Sequence, residues 1–256
     1  MQQQTAYYTH YSDQLPSNLN ALAWKTQHLM RQFLDLGMMT EARQVQYIAR
    51  EIDDILWLKA DRFDFVGQVA KDATLLVGEG NLSFSLSLTG FERIKPTLLT
   101  ATTFAALRDL TTAGKENAAK LRTRGATVYH GVDATRLRAF FGNKGFHTIV
   151  FQFPNVASRT PIRGHNPNFV LIRRFLASAA GQLLSGGSVL ISAVDSPHYR
   201  GAFNFEQAAK DTGFALPEIY PFDPDDFPGY VHTMTHEDES ALDGHKRFAT
   251  WVFRRK

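Results

Sequence analysis

Four short stretches hold residue types that can do chemistry. In "LLVGEGNLSFSLSLTG", Leu75 to Gly90, an apolar run ends at Gly78-Glu79-Gly80-Asn81 and then turns amphipathic. That is a strand entering a helix through a glycine turn. Gly78 can take a strained turn, Gly80 lets a ligand approach the main chain, and the helix's first N–H groups face that ligand. In "GVDAT", Asp133 is either an acceptor for a ligand donor or a cap for "ATRLRAFF". The run "IVFQFPNVA" ends in Gln152, Phe153, Pro154 and Asn155. In "YYTHYSDQ", Tyr7, Tyr8, His10 and Tyr11 are crowded together. Aromatic faces attract cations and phenols can position an amine, so this segment is either a lid over a cationic ligand or an aromatic anchor on the core.

Other groups are weaker. Asp195, Ser196, His198 and Tyr199 in "VDSPHYRG" either contact substrate or form an Asp-Ser-Pro turn. His232, His236, Asp238 and His245 are zinc-binding types at a spacing that fits no common zinc motif, so no metal is expected. Asp225 and Asp226 in "PFDPDDFPGY" read as turn residues rather than an acid/base pair. With Cys 0, disulfides, thiolate zinc sites and cysteine nucleophiles are excluded. GxSxG is absent, which removes support for a hydrolase elbow.

The elements that must position these residues fall into two regions. Residues 1–71 read as helical, an N-terminal cap or lid. Ser17 caps a helix with Leu22, Leu29, Phe33 and Leu36 on one face, stopped by Gly37. Thr40 caps a second helix with Val45, Ile48, Ile52 and Ile55 at helical spacing. Residues 72–256 alternate short apolar runs with helical stretches. Strands are expected at Thr74–Val77, Thr97–Thr102, Thr127–His130, Thr148–Phe153, Ser188–Ala193, Leu216–Phe222 and Arg247–Phe253. The pattern predicts an α/β fold with a mostly parallel seven-stranded sheet and an antiparallel strand at one edge.

Composition narrows the setting. The net charge is +3, with Lys and Arg scattered, so no concentrated basic face announces a nucleic-acid partner. No apolar run reaches the roughly 18 residues of a membrane span and no secretory pattern opens the chain, so a cytoplasmic protein without a membrane partner, monomer or homodimer, is expected.

Four readings compete for the glycine turn. A phosphate-binding P-loop needs Gly-Lys-Ser/Thr, which does not follow Gly80. The dinucleotide fingerprint needs a third glycine, where Ser83 stands, and an acid after the second strand, where "LLTATTFAAL" has none. S-adenosylmethionine (SAM) remains, beside a turn with no ligand.

"LLVGEGNLSFSLSL", "GATVYHGVDATRL", "IVFQFPNVA" and "PFDPDDFPGY" occur in that order, and "NPNFVLIRRFLASAAGQLLSGGSVLIS" lies between the last two. Together they resemble the Rossmann-like domain of the large-subunit ribosomal RNA uridine-N3 methyltransferase family, over residues 72–256. The resemblance implies a class I SAM-dependent methyltransferase fold. It implies that Gly78, Glu79, Gly80 and Asn81 line the methionine and ribose of SAM, with Ser83 and Phe84 opening the helix beneath. Asp133 would take the adenine amino group, and Phe153, Pro154 and Asn155 would face the sulfonium and the acceptor. Three positions depart from the family pattern. Gln152 and Asn155 replace the Asn and His of "NFPH", and Ala105 replaces the acid of a "YDS"-like turn that would suit the ribose.

These departures, the mild charge and the tyrosine-rich start favour SAM-dependent alkyl transfer in a closed small-molecule site. Gln152, Asp195, Ser196 and Tyr199 would bind the substrate, and Asn155 would orient the nucleophile with Tyr7, Tyr8 or Tyr11 assisting. SAM would be the cosubstrate of a methyl transfer or the sole substrate. In the second case its α-amine displaces methylthioadenosine and closes azetidine-2-carboxylate, as in the azetidine-2-carboxylate synthases that this chain also resembles. The alternatives are ribosomal RNA uridine methylation and a non-catalytic SAM-binding or interaction module.

Overall fold

The computed structural model describes residues 17–156, 158, 160–232, 245 and 247–256. Tyr7, Tyr8, Tyr11, His236 and Asp238 lie outside them. The chain divides into two compact units, one of residues up to Arg62 with Ile219–Pro221, the other of Phe63–Glu218 and Phe222–Lys256. The break thus precedes residue 71.

The first unit is a helical hairpin of α1 (Ser17–Asp35) and α2 (Met39–Lys59). Gly37 sits at φ +72°, and the Met38 N–H donates to the Phe33 carbonyl (2.8 Å), which closes α1. Thr40 does not cap α2, which begins one residue earlier. The buried residues are Ala23 and Thr26 on α1 and Ala42, Val45, Ile52, Leu56 and Trp57 on α2. Leu22, Leu29, Leu36, Ile48 and Ile55, expected on the buried stripes, are exposed. Ala23 and Ala42 are small enough to let two helix backbones approach, whereas a leucine stripe would hold them apart.

In the second unit α3 (Phe65–Val69) precedes β1 (Thr74–Val77), α4 (Ser83–Leu88), β2 (Leu99–Thr103), α5 (Thr112–Thr123), β3 (Thr127–His130) and α6 (Leu137–Phe141). Then follow β4 (Phe146–Gln152), α7 (Pro167–Ala180), β5 (Leu183–Val194), α8 (Pro197–Phe203), α9 (Phe205–Thr212), β6 (Glu218–Phe222) and β7 (Phe248–Arg254). The sheet order is β3-β2-β1-β4-β5-β7-β6, with β1 to β5 joined by parallel pairing and β7 antiparallel to β5. The antiparallel pairing lies on the β7-β6 side of the sheet, as the sequence leads one to expect, with β7 inside β6. The sequences explain the placement: β7 is apolar and buried from Ala249 to Phe253, while β6 carries Pro221, which cannot donate to a ladder and belongs on an edge.

Strand register sorts the core into two faces. Leu76, Val150, Leu190 and Val252 align across β1, β4, β5 and β7, and Val77, Phe151, Ile191 and Trp251 form the next row on the opposite face. The second row packs on the helices, with Phe151 against Phe175 of α7 (4.9 Å) and Trp251 against Phe205 of α9 (4.4 Å). Elsewhere in this unit Phe65, Phe84, Phe222 and Phe227 meet ring to ring. A fully buried phenylalanine such as Phe84 contributes about 1.5–3 kcal/mol of transfer free energy, so this cluster fixes whatever rests on it.

Candidate functional site

The carboxyl end of β1 is built by contacts that leave little freedom. Gly78 has φ +68°, and a Cβ there would lie 2.5 Å from the Phe151 ring, so only glycine fits. The Glu79 N–H donates to the Thr102 carbonyl (3.0 Å) and ties the turn to β2. The Glu79 side chain is buried and points forward into α4: it accepts from the Ser85 N–H (2.9 Å) and from the Ser85 hydroxyl. Burial pushes its pKa up to about 7, against the lowering effect of the two Ser85 bonds. Glu79 thus holds the start of α4 through Ser85.

Asn81 is equally committed. Its Oδ1 accepts from the Ser83 N–H (3.0 Å), its Nδ2 donates to the Val231 carbonyl (3.2 Å), and its own carbonyl accepts from Asn117 Nδ2 (2.9 Å). Leu82, fully buried, holds φ +64°. The Ser83 hydroxyl donates to the Val231 carbonyl (2.9 Å) and accepts from the Val231 N–H (3.1 Å). Phe84 lies beneath, in the aromatic cluster. Val231 follows "PFDPDDFPGY", where Asp223 caps a short turn by accepting from the Asp225 N–H (3.0 Å). A motif 150 residues downstream of Asn81 is thereby bolted across the glycine turn.

At the neighbouring strand ends, Asp133 caps the turn after β3: its Oδ1 accepts from both the Thr135 N–H (2.8 Å) and the Thr135 hydroxyl (2.7 Å). Both bonds use one oxygen, so Oδ2 can still take a ligand donor. After β2 the Thr103 hydroxyl donates to the Ala105 carbonyl (2.8 Å) and meets His130 Nδ1 at 2.9 Å. Burial, then the charge of Arg122, lowers the His130 pKa. No carboxylate stands at Ala105.

At the end of β4 the chemistry is unspent. Gln152 aligns with Ser192 and Thr250, whose hydroxyls bond each other at 2.9 Å. Gln152 itself is buried with neither amide atom hydrogen-bonded among the described residues. Phe153 then holds φ +47°, a left-handed conformation that costs a non-glycine residue about 1–2 kcal/mol. Its N–H donates to the Ser192 carbonyl (2.8 Å), and its ring meets Phe222, Phe248 and His232. Pro154 is buried and Asn155 is exposed in the loop.

The β5 end is occupied internally. The buried Asp195 carboxylate accepts from Arg200 Nε and from Arg247 Nε (2.8 Å). The Ser196 hydroxyl caps α8 by accepting from the Tyr199 N–H (3.4 Å), and Tyr199 packs on Phe203 and His245. This is the turn that the Asp-Ser-Pro sequence allows; one Asp195 oxygen pairs with Arg200 of α8 and the other with Arg247, just before β7.

Residues 75–234 match the family described as BMT5-like, rRNA (uridine-N3-)-methyltransferase BTM5-like. The chain belongs to this family. A mouse relative, "Ferredoxin-fold anticodon-binding domain-containing protein 1 homolog", is 33% identical over 175 residues, 62% of this chain and 27% of the relative. Its human counterpart is 32% identical over 183 residues, 66% of this chain and 28% of the relative. The chain therefore spans under a third of the length of these curated relatives. The structure of the 16S rRNA methyltransferase KamB is similar at a TM-score of 0.47 and 14% identity, covering 77% of this chain and 95% of that one. The BMT5-like family and this sheet define a class I SAM-dependent methyltransferase fold and a SAM-binding transferase. The residues fit that ligand: Gly78 has no room for a side chain, and Asp133 Oδ2 has no partner among the described residues. No helix of the described residues is long and apolar enough to cross a membrane, and no cluster of three metal-binding side chains occurs among them.

The sequence does not reveal that Tyr230 and His232 pair. The Tyr230 hydroxyl lies 3.3 Å from His232 Nδ1, and its ring packs on Phe84 at 5.0 Å. Burial, and then the Glu79 charge, hold the phenol above its ordinary pKa; burial lowers His232 to about 4. Both stand in "FPGYVH", where a recognised motif ends, but His232 was grouped with the histidines that follow it.

Proposed function

We propose that this protein methylates the N3 nitrogen of a uridine in ribosomal RNA. Membership of the BMT5-like family supports RNA over the small-molecule site that composition favoured. The observation that carries the reading is Gln152, a buried amide with an unused donor and an unused acceptor at the end of β4. A buried polar group without a partner costs about 1–3 kcal/mol, so a partner that arrives with the substrate is the natural explanation. Uracil presents carbonyl oxygens on both sides of N3, and the Gln152 Nε2 can donate to one of them. The ring of Phe153 offers an apolar wall beside it. SAM supplies a methyl group on a sulfonium, already activated for displacement. What remains for the chain is to align N3 with that carbon and to exclude water. N3 gives up its proton to solvent, the N3–carbon bond forms as the carbon–sulfur bond breaks, and the electron pair of that bond stays on sulfur. Asn155 is proposed to complete the acceptor side.

A second reading has its own observation. Gln152 and Asn155 depart from the family's acceptor loop, and Ala105 leaves the ribose without an acid. Self-cyclisation of SAM to azetidine-2-carboxylate, with release of methylthioadenosine, needs no RNA contact. Incubation with SAM, with and without purified ribosomal RNA, separates the readings by mass spectrometry. S-adenosylhomocysteine and 3-methyluridine, formed together and only with RNA, support the first. Methylthioadenosine from SAM alone overturns it in favour of the second. SAM left intact in both arms leaves a SAM-binding module.

A further inference from the structure

The segment Tyr230–His232 bridges two strand ends. The Val231 main chain is bonded to Ser83 and Asn81, beside the end of β1. The next residue, His232, lays its ring on Phe153 at the end of β4, with centroids 5.0 Å apart. β1 and β4 are adjacent in the sheet, and the crevice beyond their carboxyl ends is where an open α/β sheet takes its ligand. The imidazole is also held from behind. Tyr230 packs on the fully buried Phe84 and sets its hydroxyl 3.3 Å from Nδ1. The titratable groups around this ring are Tyr230 and, beyond it, Glu79. Burial keeps the imidazole neutral and the phenol protonated at neutral pH. If the phenol donates to Nδ1 across this contact, the neutral ring carries its hydrogen on Nε2, and that is the tautomer the inference takes.

We infer that His232 stands at the reacting centre and donates its Nε2–H to an oxygen flanking the acceptor's nucleophilic nitrogen, with Tyr230 as the positioning residue that fixes its tautomer. The inference rests on the uridine reading for the identity of that oxygen, a carbonyl next to N3. The position of His232 at the crevice does not depend on it.

The test uses full-length protein with 15N-labelled histidine, the His232 ring signals being assigned by difference from His232→Asn. S-adenosylhomocysteine is expected to shift those signals, and uridine monophosphate added next to shift the Nε2 signal further. Tyr230→Phe is expected to move the ring toward a mixture of tautomers. In transfer from SAM to ribosomal RNA, His232→Ala is expected to lose about 30-fold in kcat and Tyr230→Phe about tenfold, the scale of one lost hydrogen bond in the transition state. Affinity for S-adenosylhomocysteine should stay within about threefold, which separates this role from a folding defect. Bound S-adenosylhomocysteine with unmoved His232 signals overturns the inference, as does a His232→Ala variant that transfers at the wild-type rate. If the wild type binds S-adenosylhomocysteine but methylates no RNA, the uridine reading falls alone, and His232 is judged by the ring titration.

Discussion

The two strand ends that frame the site are built in opposite ways. At β1, the polar side chains of the turn are used: Glu79 on Ser85, Asn81 on Ser83 and Val231, Ser83 on both polar groups of Val231. At β4, Gln152 keeps both amide atoms unpaired and Phe153 holds a left-handed backbone. Under the proposed function the contrast has a reason: a cradle for one unchanging ligand can be wired in advance, because its shape never has to adapt. An end that meets an acceptor would keep hydrogen-bonding capacity in reserve, and that reserve costs stability when no partner is present.

Substitutions can break this contrast, starting with the largest effect. Gly78→Val drives a side chain into Phe151 and forces a branched residue to φ +68°. A loss of about 2–5 kcal/mol in stability is expected from strain and overpacking together, with SAM binding abolished. Calorimetry finding native affinity in this variant would show that the turn is not the cradle.

Glu79 and His232 sharpen the contrast through pH. The folded pKa of Glu79 is raised from 4.5 to about 7, so its contribution is full below pH 4.5 and is lost as pH rises toward 7. The folded pKa of His232 is lowered from 6.5 to about 4, so its contribution is full above pH 6.5 and is lost as pH falls toward 4. The two slopes oppose each other. Glu79→Gln should leave stability rising with pH across this window and gain on the order of 2–3 kcal/mol at pH 8. His232→Asn should leave stability falling over the same range. Denaturant titrations at several pH values check both, and parallel curves for the two variants would refute the assignment.

Ser83→Ala removes two hydrogen bonds to Val231 and should cost about 1–2 kcal/mol. Faster amide exchange at Val231 should accompany it, because the N–H loses its acceptor. Gln152→Leu is expected to act the other way, raising stability by about 1 kcal/mol through removal of an unpaired buried amide, while methyl transfer drops at least about tenfold. A variant that is both destabilised and fully active would mean that Gln152 is structural.

Much of this was legible in the residues. Thr74–Val77 and Thr127–His130 are strands with the bounds that their apolar runs predict, because β-branched and aromatic residues bounded by glycine leave few alternatives. Gly78 was readable for the same reason, since a glycine between a strand and a helix has few other uses. The buried stripe of the hairpin was not: Leu22, Leu29 and Leu36 have the right spacing, yet the contact runs through Ala23 and Thr26. Periodicity gives the period of a stripe, and the size of its residues decides which of two neighbouring stripes packs.

The sequence by itself determined the strands, the glycine turn and, through four ordered motifs, the family. Local chemistry suffices for these, because each depends on residues a few positions apart. Only the tertiary structure decided what the polar residues do. Glu79 bonds Ser85, Asp195 pairs with Arg200 and Arg247, and Val231 crossed 150 residues to bind Asn81. It also decided that Gln152 stays unpaired. A carboxylate or amide takes its role from the partners that the fold brings within 3 Å or so, and neighbours in sequence do not reveal them.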